Sequence, residues 1–217
     1  MARYLQPLRL DPALRTLARE RAANLVAASA FSHAAAGGDI GAALRADYIQ
    51  YWSAGEDIAW TNAPWGSTAA SWIYRGLRGS PVHWALMMSR TFNYVGVGAG
   101  ERQRDGRTFV SIIFTESRDH TPPIASMRSA TRSGTTVTFK WYGRDRLLQT
   151  HTAGFRDFDV EYRVDEGAWR LVRDNTTSTG TTWASRPRGH TYWVRVRGRD
   201  RAGNVSSWSA PLGLHVP

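Results

Sequence analysis

The stretch SWIYRGLRGSPVHWALMM, residues 71–88, decides how the first half of this chain is interpreted. Ser80 and Pro81 are typical of a helix cap and a first helical residue, so a helix is predicted with His83 at its third position. The apolar residues 86–88 are expected to bury this helix. The imidazole then either satisfies a hydrogen bond in the wall of the core or points into a cleft toward polar partners from elsewhere. The stretch by itself leaves both interpretations open.

The segments before this stretch predict more helices. Asp11 and Pro12 open one that should end near Ser29, and its apolar stripe is interrupted at Arg21. FSH, residues 31–33, follows at the exit of this helix. Two further helices are predicted, over residues 39–48 and 67–77.

Two apolar strands close this half, residues 93–100 and 108–116, joined by a charged turn. The run GVGAG, residues 96–100, has a strand pattern with no helix after it, which argues against a phosphate-binding loop. Helices followed by antiparallel strands are typical of a layered α+β structure.

The second half has a different character. Pro122 and Pro123 predict a linker over residues 119–123, between a domain of residues 1–118 and one of residues 124–217. About seven short alternating strands in the last 95 residues or so favour an all-β sandwich.

Composition narrows the possible functions. The 217 residues include no cysteine, which excludes disulfides and thiolate metal sites. The net charge of +10 is spread: 13 basic and 9 acidic side chains give +4 in residues 1–118, and 15 and 9 give +6 in the rest. Without a basic run, no specific nucleic-acid partner is predicted.

Export is the open question at the amino end. No stretch of about 18 apolar residues predicts a transmembrane segment, and the first residues do not form a signal peptide. We therefore expect either a cytoplasmic protein or a sequence that begins after its export signal.

Residues 122–217 resemble a fibronectin type III domain. Trp141 stands where that family has a buried tryptophan, and Tyr192 precedes the long strand in HTYWVRVRGRD. In the same strand, arginines 195, 197 and 199 share the outer face, and the neighbouring strand carries acids at 157, 159 and 161. The arginine row is thus interpreted as a solvated face neutralised by acids, in preference to a polyanion site.

Residues 7–116 resemble the CAP superfamily (cysteine-rich secretory, antigen 5 and pathogenesis-related proteins), particularly its short bacterial members. The resemblance rests on an ordered set of segments. They are LRLDPALRTLARERAANL, FSH, GEDIAW, WIYRGLRGSPVH and YVGVGAG. It implies an α-β-α sandwich and an extracellular or cell-surface location, with the domain incomplete at its amino end and a signal peptide missing upstream.

The resemblance also implies a site. The family places a histidine, a glutamate and a second histidine in one cleft, which gives His33, Glu56 and His83 here. Two imidazoles and a carboxylate can hold zinc or another divalent cation and leave a position open for water. A helix N-terminus favours the neutral His83 ring that a metal requires. Trp60, Trp72 and Arg75 are expected to line the cleft.

Two departures from the family pattern bear on this site. Arg75 stands where many eukaryotic members have a second glutamate, so the chain offers at most three protein ligands. Asp57 replaces the usual asparagine and adds negative charge near the cleft.

These features are compatible with four roles for the cleft. The preferred one is an exported protein whose CAP domain binds an extracellular or cell-wall ligand, with a metal in its cleft and the fibronectin domain as spacer or adhesion module. Another is a metal-dependent hydrolase with Glu56 as base, although no HExxH or GxSxG motif supports it. A third is a lipid-binding cleft, suggested by Trp60, Trp65 and Trp84. A hydrogen-bonded polar cluster that only braces the fold is the fourth.

Overall fold

The structure is a computed structural model that describes residues 5–217, so the first four residues of the predicted domain 1–118 lie outside the described residues. It divides the chain into two units. The first runs to Arg118 and includes the segment Leu148–His151, and the second comprises Asp119–Leu147 and Thr152–Pro217. The expected linker, residues 119–123, falls in the second unit.

The first helix begins as predicted. After the short strand β1 (Arg9–Leu10), the Asp11 carboxylate accepts the backbone N–H of Leu14 at 2.8 Å and caps α1 (Pro12–Ala27). The apolar stripe of α1 is buried, and Arg21 is buried within it. A short helix α2 (His33–Ala36) begins within FSH, and the Ser32 hydroxyl caps it by accepting the backbone N–H of Ala35 at 3.1 Å.

The remaining elements of the first unit follow in chain order. They are α3 (Ile40–Ala46), β2 (Ser53–Thr61), α4 (Ser67–Gly79), α5 (Pro81–Met87), β3 (Tyr94–Arg102) and β4 (Arg107–Glu116). Strand β2 was not predicted from sequence. In α5, His83 holds the third position as expected. The expected burial of residues 86–88 is wrong, since Met88 is 42% exposed and both Leu86 and Met87 are half-buried.

One sheet with helices on both faces forms the first unit. Its strand order is β1-β3-β4-β2, and only β1 and β3 run parallel. Alternate residues of β4 face opposite sides: Ile113 packs with the residues of α1, and Val110 packs with Ile73 and Leu77 of α4. This three-layer arrangement confirms the predicted α-β-α sandwich.

The glycine-rich run of β3 serves packing between α1 and the sheet. A Cβ added at Gly98 would lie 2.1 Å from the carbonyl carbon of Ala18, and one at Gly96 would lie 2.2 Å from that of Leu14. Only glycine allows the helix backbone to come this close.

The second unit is a sandwich of seven strands. They are β5 (Ile124–Ser133), β6 (Thr136–Arg144), β7 (Phe155–Val164), β8 (Arg170–Thr176), β9 (Gly180–Trp183), β10 (His190–Asp200) and β11 (Leu212–Val216). They form the sheets β11-β10-β7-β8 and β5-β6-β9. Trp141 and Tyr192 are both buried in the core, in agreement with the fibronectin type III expectation.

The arginine row of β10 is paired with acids of β7. Arg195, Arg197 and Arg199 stand directly opposite Glu161, Asp159 and Asp157 in the ladder. Arg195 contacts Glu161 at 2.7 Å and Arg197 contacts Asp159 at 2.8 Å. The interpretation of this row as a neutralised face is confirmed.

Candidate functional site

Glu56 lies in β2 at the centre of a buried polar cluster on the α1 side of the sheet. Arg21 donates two parallel hydrogen bonds to it, Nε to Oε1 at 2.6 Å and Nη2 to Oε2 at 2.7 Å. Both side chains are 2% exposed. Such a bidentate pair fixes the position and the charge of the carboxylate.

Two further side chains complete the contacts of Glu56. The Ser111 hydroxyl donates to Oε1 at 2.7 Å, and Nδ1 of His33 lies 2.8 Å from Oε2. Because a carboxylate only accepts, His33 donates through Nδ1–H, which leaves the Nε2 lone pair for another partner. His33 begins α2 at the surface, and its side chain is 55% exposed.

These contacts decide the protonation of Glu56. Burial alone would raise the pKa of its carboxyl, but the hydrogen bonds from Arg21, His33 and Ser111 and the charge of Arg21 outweigh burial and lower the pKa. A carboxylate with about four lone-pair positions that makes four contacts has none left for a metal or a water. Glu56 is therefore poorly suited to act as a metal ligand or as a general base.

His83 projects from α5, and its ring is fixed locally. Nδ1 lies 2.8 Å from the hydroxyl of Ser80, so Ser80 holds the ring in place of capping the helix backbone. The Nε2 atom of His83 has no hydrogen-bond partner among residues 5–217. Like His33, His83 thus presents Nε2 as its free nitrogen.

Asp57 follows Glu56 in β2 and so points to the other face of the sheet, the face that carries α5. Packing supports this, since a Cβ added at the preceding same-face residue, Gly55, would lie 2.7 Å from Leu86 of α5. Asp57 is 2% exposed, and its Oδ2 has no hydrogen-bond partner within the described part of the chain.

The buried setting of Asp57 changes its acidity. Burial raises the pKa of its carboxyl to about 6, although the charges of His83 and His33 oppose the rise and Glu56 adds to it. Asp57 is thus electrostatically coupled to both histidines.

The structure joins two of the three predicted site residues directly. His33 and Glu56 are hydrogen-bonded, whereas His83 is placed beyond hydrogen-bond distance of both. Within residues 5–217, these three side chains do not form a group whose ligand atoms all lie within 4.8 Å of one another.

The residues expected to line the cleft lie at the surface. Trp60 is 41% exposed, and the guanidinium carbon of Arg107 lies over its indole, 4.5 Å from the ring centroid. Trp72 and Arg75 are exposed on α4, whose buried side carries residues 69, 73 and 77. Arg75 makes no hydrogen bond or ion pair with Glu56 within the described part of the chain.

Sequence reasoning missed two residues of this site, Arg21 and Ser111, and did not predict that Asp57 is buried. Arg21 carried a signal, because it was the polar interruption of an otherwise apolar helix stripe. Ser111 carried none, since it sits among apolar residues of a strand and its partner depends on the pairing of β2 with β4.

An apolar cavity of about 320 Å³ lies on the α4 side of the sheet. Trp65, Ile73 and Tyr74 line it from the helix side, and Val97 and Thr108 line it from the strands. The Thr108 hydroxyl is buried and has no hydrogen-bond partner among the described residues. The residues that line the cavity are thus mainly apolar.

Three acids of the second unit also come together. Oxygens of Asp119, Asp145 and Asp200 lie within 4.8 Å of one another. Each carboxylate accepts a backbone N–H, including those of Gly154 and Asn204. These bonds explain the cluster as a brace for the loops around it.

Comparison with known proteins identifies the family. The sequence profile of the cysteine-rich secretory protein family (CAP) matches residues 2–114, which is more than half of the chain. The chain therefore belongs to this family. No helix within residues 5–217 is long and apolar enough to cross a membrane.

Solved structures resemble each unit. An extracellular protein of Bacillus anthracis that contains an SCP domain is 22% identical over 52% of this chain, with a TM-score of 0.44, and the match covers 35% of that protein. An Fn3-like protein of Clostridium thermocellum is 22% identical over 45% of this chain and 96% of its own, with a TM-score of 0.33. The sixth fibronectin type III domain of human fibronectin type III domain containing protein 3 is 15% identical over 46% of this chain and 91% of its own, with a TM-score of 0.35. The curated proteins compared give no match.

Proposed function

We propose that this protein is an exported or cell-surface CAP-domain protein whose first unit binds an extracellular or cell-wall ligand, with the fibronectin type III unit as spacer or adhesion module. The observation that carries the proposal is the full engagement of Glu56. The carboxylate, held by Arg21 and Ser111, orients the ring of His33 with Nε2 left for a ligand, and Glu56 itself has no free position from which to act as a base.

We propose that a divalent cation such as zinc binds near Asp57, whose charge interacts with both His33 and His83. Metal-binding histidines commonly donate one ring nitrogen to a carboxylate or another acceptor and bind through the other. His33 meets this description with Glu56, and His83 has its Nδ1 engaged by Ser80. His33 and His83 would hold the ion through Nε2, Glu56 would orient His33, and the bound ion would attract an oxygen atom of the ligand.

Zinc binding by the purified full chain tests the role of the histidines. Isothermal titration with zinc alone should show one site, and His33→Ala and His83→Ala should each weaken it at least tenfold. His190→Ala is the matched control, because that histidine is exposed in the second unit and pairs with Asp165. Equal zinc affinity in all four proteins would contradict the assignment.

The binding role and the hydrolase alternative differ in the turnover that they predict. If the site only binds, zinc-loaded protein should hydrolyse neither peptide nor ester substrates above the rate of His83→Ala. A histidine-dependent turnover that is lost in Glu56→Gln would favour the hydrolase and overturn the binding role.

Lipid binding is a second candidate function, supported by the apolar cavity beside α4. Its volume of about 320 Å³ is at the lower end of small-ligand pockets, about 300–1,000 Å³. Displacement of a fluorescent fatty acid by dodecanoate tests it. Ala70→Trp, which fills the cavity from the exposed side of α4, should abolish binding, whereas Trp72→Ala on the same helix should not.

A further inference from the structure

An open groove of about 700 Å³ lies in the first unit beside the connection from α3 to β2. It is lined by Arg45, residues 48–52 and residues 117–118. None of these belongs to the cluster of His33 and Glu56. The volume is within the range of about 300–1,000 Å³ found for small-ligand sites.

Two aromatic rings are exposed in this groove. Trp52 is 61% exposed even though its neighbours fix it: its backbone N–H donates to the Glu116 carbonyl at 2.8 Å, and its ring meets the His151 ring edge to face with 4.5 Å between centroids. His151 is itself held by Glu116 at 2.8 Å. A large aromatic ring that is held in place but left open is a preformed contact surface.

Tyr48 adds a second ring at the cost of backbone strain. Its φ of 57° lies in the left-handed region, which bulky residues rarely adopt, and its side chain is 92% exposed. Such exposure gives the ring almost no packing to offset the strain. The backbone conformation itself ends α3, because Ile49 N–H donates to the Leu44 carbonyl at 2.9 Å and Tyr48 N–H donates to the Arg45 carbonyl at 3.1 Å. Glycine is the usual residue at this position, so a tyrosine here carries a ring that the helix end does not need.

Arginines supply the polar part of the groove. Arg45 donates from Nη1 to the Tyr51 hydroxyl at 2.7 Å, which orients its guanidinium. The Asp39 carboxylate lies 3.9 Å from Nη2, beyond hydrogen-bond distance, so other N–H groups remain for a ligand. Arg118, together with Ser117, also lines the groove. A guanidinium matches a carboxylate with two parallel hydrogen bonds.

We propose that this groove binds an acidic oligosaccharide, with Trp52 and Tyr48 stacking on sugar rings and Arg45 binding a uronic carboxylate. The apolar C–H faces of pyranose rings pack on aromatic rings, and the carboxylates meet the arginine charge. Single-stranded nucleic acid also stacks on aromatic rings, but it is usually bound along an extended basic track. The groove has two arginines, and the arginine row of β10 is already paired with acids.

Titration of the full chain with tetragalacturonate, with neutral maltotetraose and with a short oligothymidylate tests the proposal. The acidic sugar should bind, and the neutral sugar should bind at least tenfold more weakly. Trp52→Ala should weaken binding of the acidic sugar at least tenfold. Trp72→Ala is the matched control, because that ring is 58% exposed in the same unit but lies outside the groove.

A second variant separates binding from folding. Tyr48→Gly relieves the left-handed strain, so it should raise the melting temperature while it weakens tetragalacturonate binding at least threefold. Arg45→Gln should reduce the preference for the acidic over the neutral sugar. His83→Ala should leave sugar binding unchanged, so this proposal and the proposed histidine site fail separately.

Three results would overturn the proposal. They are absence of tetragalacturonate binding, equal losses in Trp52→Ala and Trp72→Ala, and tighter binding of the oligothymidylate than of the sugar, which would assign the groove to nucleic acid.

Discussion

Arg21 and Glu56 form a buried ion pair that sets the chemistry of the site at the scale of single residues. A buried charge that loses its partner is costly, whereas a pair replaced as a unit by apolar residues costs little. The sequence marked Arg21 as unusual, but its partner could not be predicted, because it depends on how α1 packs across the register of β2. The Glu56 position itself was predicted from the family resemblance, and a hydrogen-bonded polar cluster was one of the alternatives that the sequence left open.

We predict that Glu56→Leu and Arg21→Met each destabilise the protein by about 3–5 kcal/mol, since each leaves one charge buried. The double variant Arg21→Met/Glu56→Leu should be closer to the parent than either single variant. Urea unfolding of the four proteins measures this cycle. Additive losses in the double variant would show that the two residues act independently.

Asp57 predicts a pH dependence of stability. Its folded pKa of about 6 lies above the ordinary value of 3.8, so the folded state favours the protonated form. Its cost to stability is absent below about pH 4, grows as the pH rises through 6, and reaches the order of 3 kcal/mol at pH 8.

Asp57→Asn should therefore be more stable than the parent at pH 8 by about 1–3 kcal/mol and nearly equal to it at pH 4. Urea midpoints at both pH values measure this. Asp47→Asn, at an exposed aspartate of the same unit, is the control and should show no such pH-dependent gain. A gain of equal size at both pH values would contradict the assignment.

At the scale of elements, the contact of α1 with β3 explains the glycine-rich strand. The sequence predicted both elements from their periodicity, but not that the glycines mark a backbone contact. Strand β2 was missed because it mixes charged and apolar residues: Glu56 and Asp57 are both buried, on opposite faces, which hides the alternation that identifies a half-exposed strand.

Gly98→Ala should destabilise the protein by about 3 kcal/mol or more, because its methyl group would meet the backbone of α1. Gly76→Ala is the matched control, since a Cβ there has nothing within 4 Å and the residue lies inside α4. That change should stabilise by about 0.5–1 kcal/mol. Thermal unfolding of both variants gives the comparison, and two changes of the same sign would contradict the packing explanation.

At the scale of the whole molecule, less of the net charge of +10 is available to bind an acidic partner than the composition suggests. In the second unit the arginines of β10 are paired with acids of β7, and Asp159 alone contacts both Arg197 and Arg199. The two-unit organisation and the opposite signs of the two rows were predictable, because strand alternation fixes which residues share a face. The pairing geometry came from the structure.

Asp159→Asn should raise retention on a heparin column more than Glu20→Gln does, although both variants gain one positive charge. Asp159→Asn removes the carboxylate that contacts Arg197 and one of the two that contact Arg199, whereas Glu20 is exposed on α1. The salt concentration at elution measures the difference. Equal elution of the two variants would mean that net charge alone controls the interaction.

The outermost position of β2 in its sheet has a consequence for how the site can change in evolution. Glu56 and Asp57 reach opposite faces because the strand alternates, and β4 pairs with it on one side. A single-residue insertion or deletion before Glu56 that shifted this pairing would exchange the two carboxylates, moving the unpartnered acid beneath Arg21 and the glutamate toward α5. Length changes in the chain from α3 into this strand should therefore be strongly selected against, even where substitutions are tolerated.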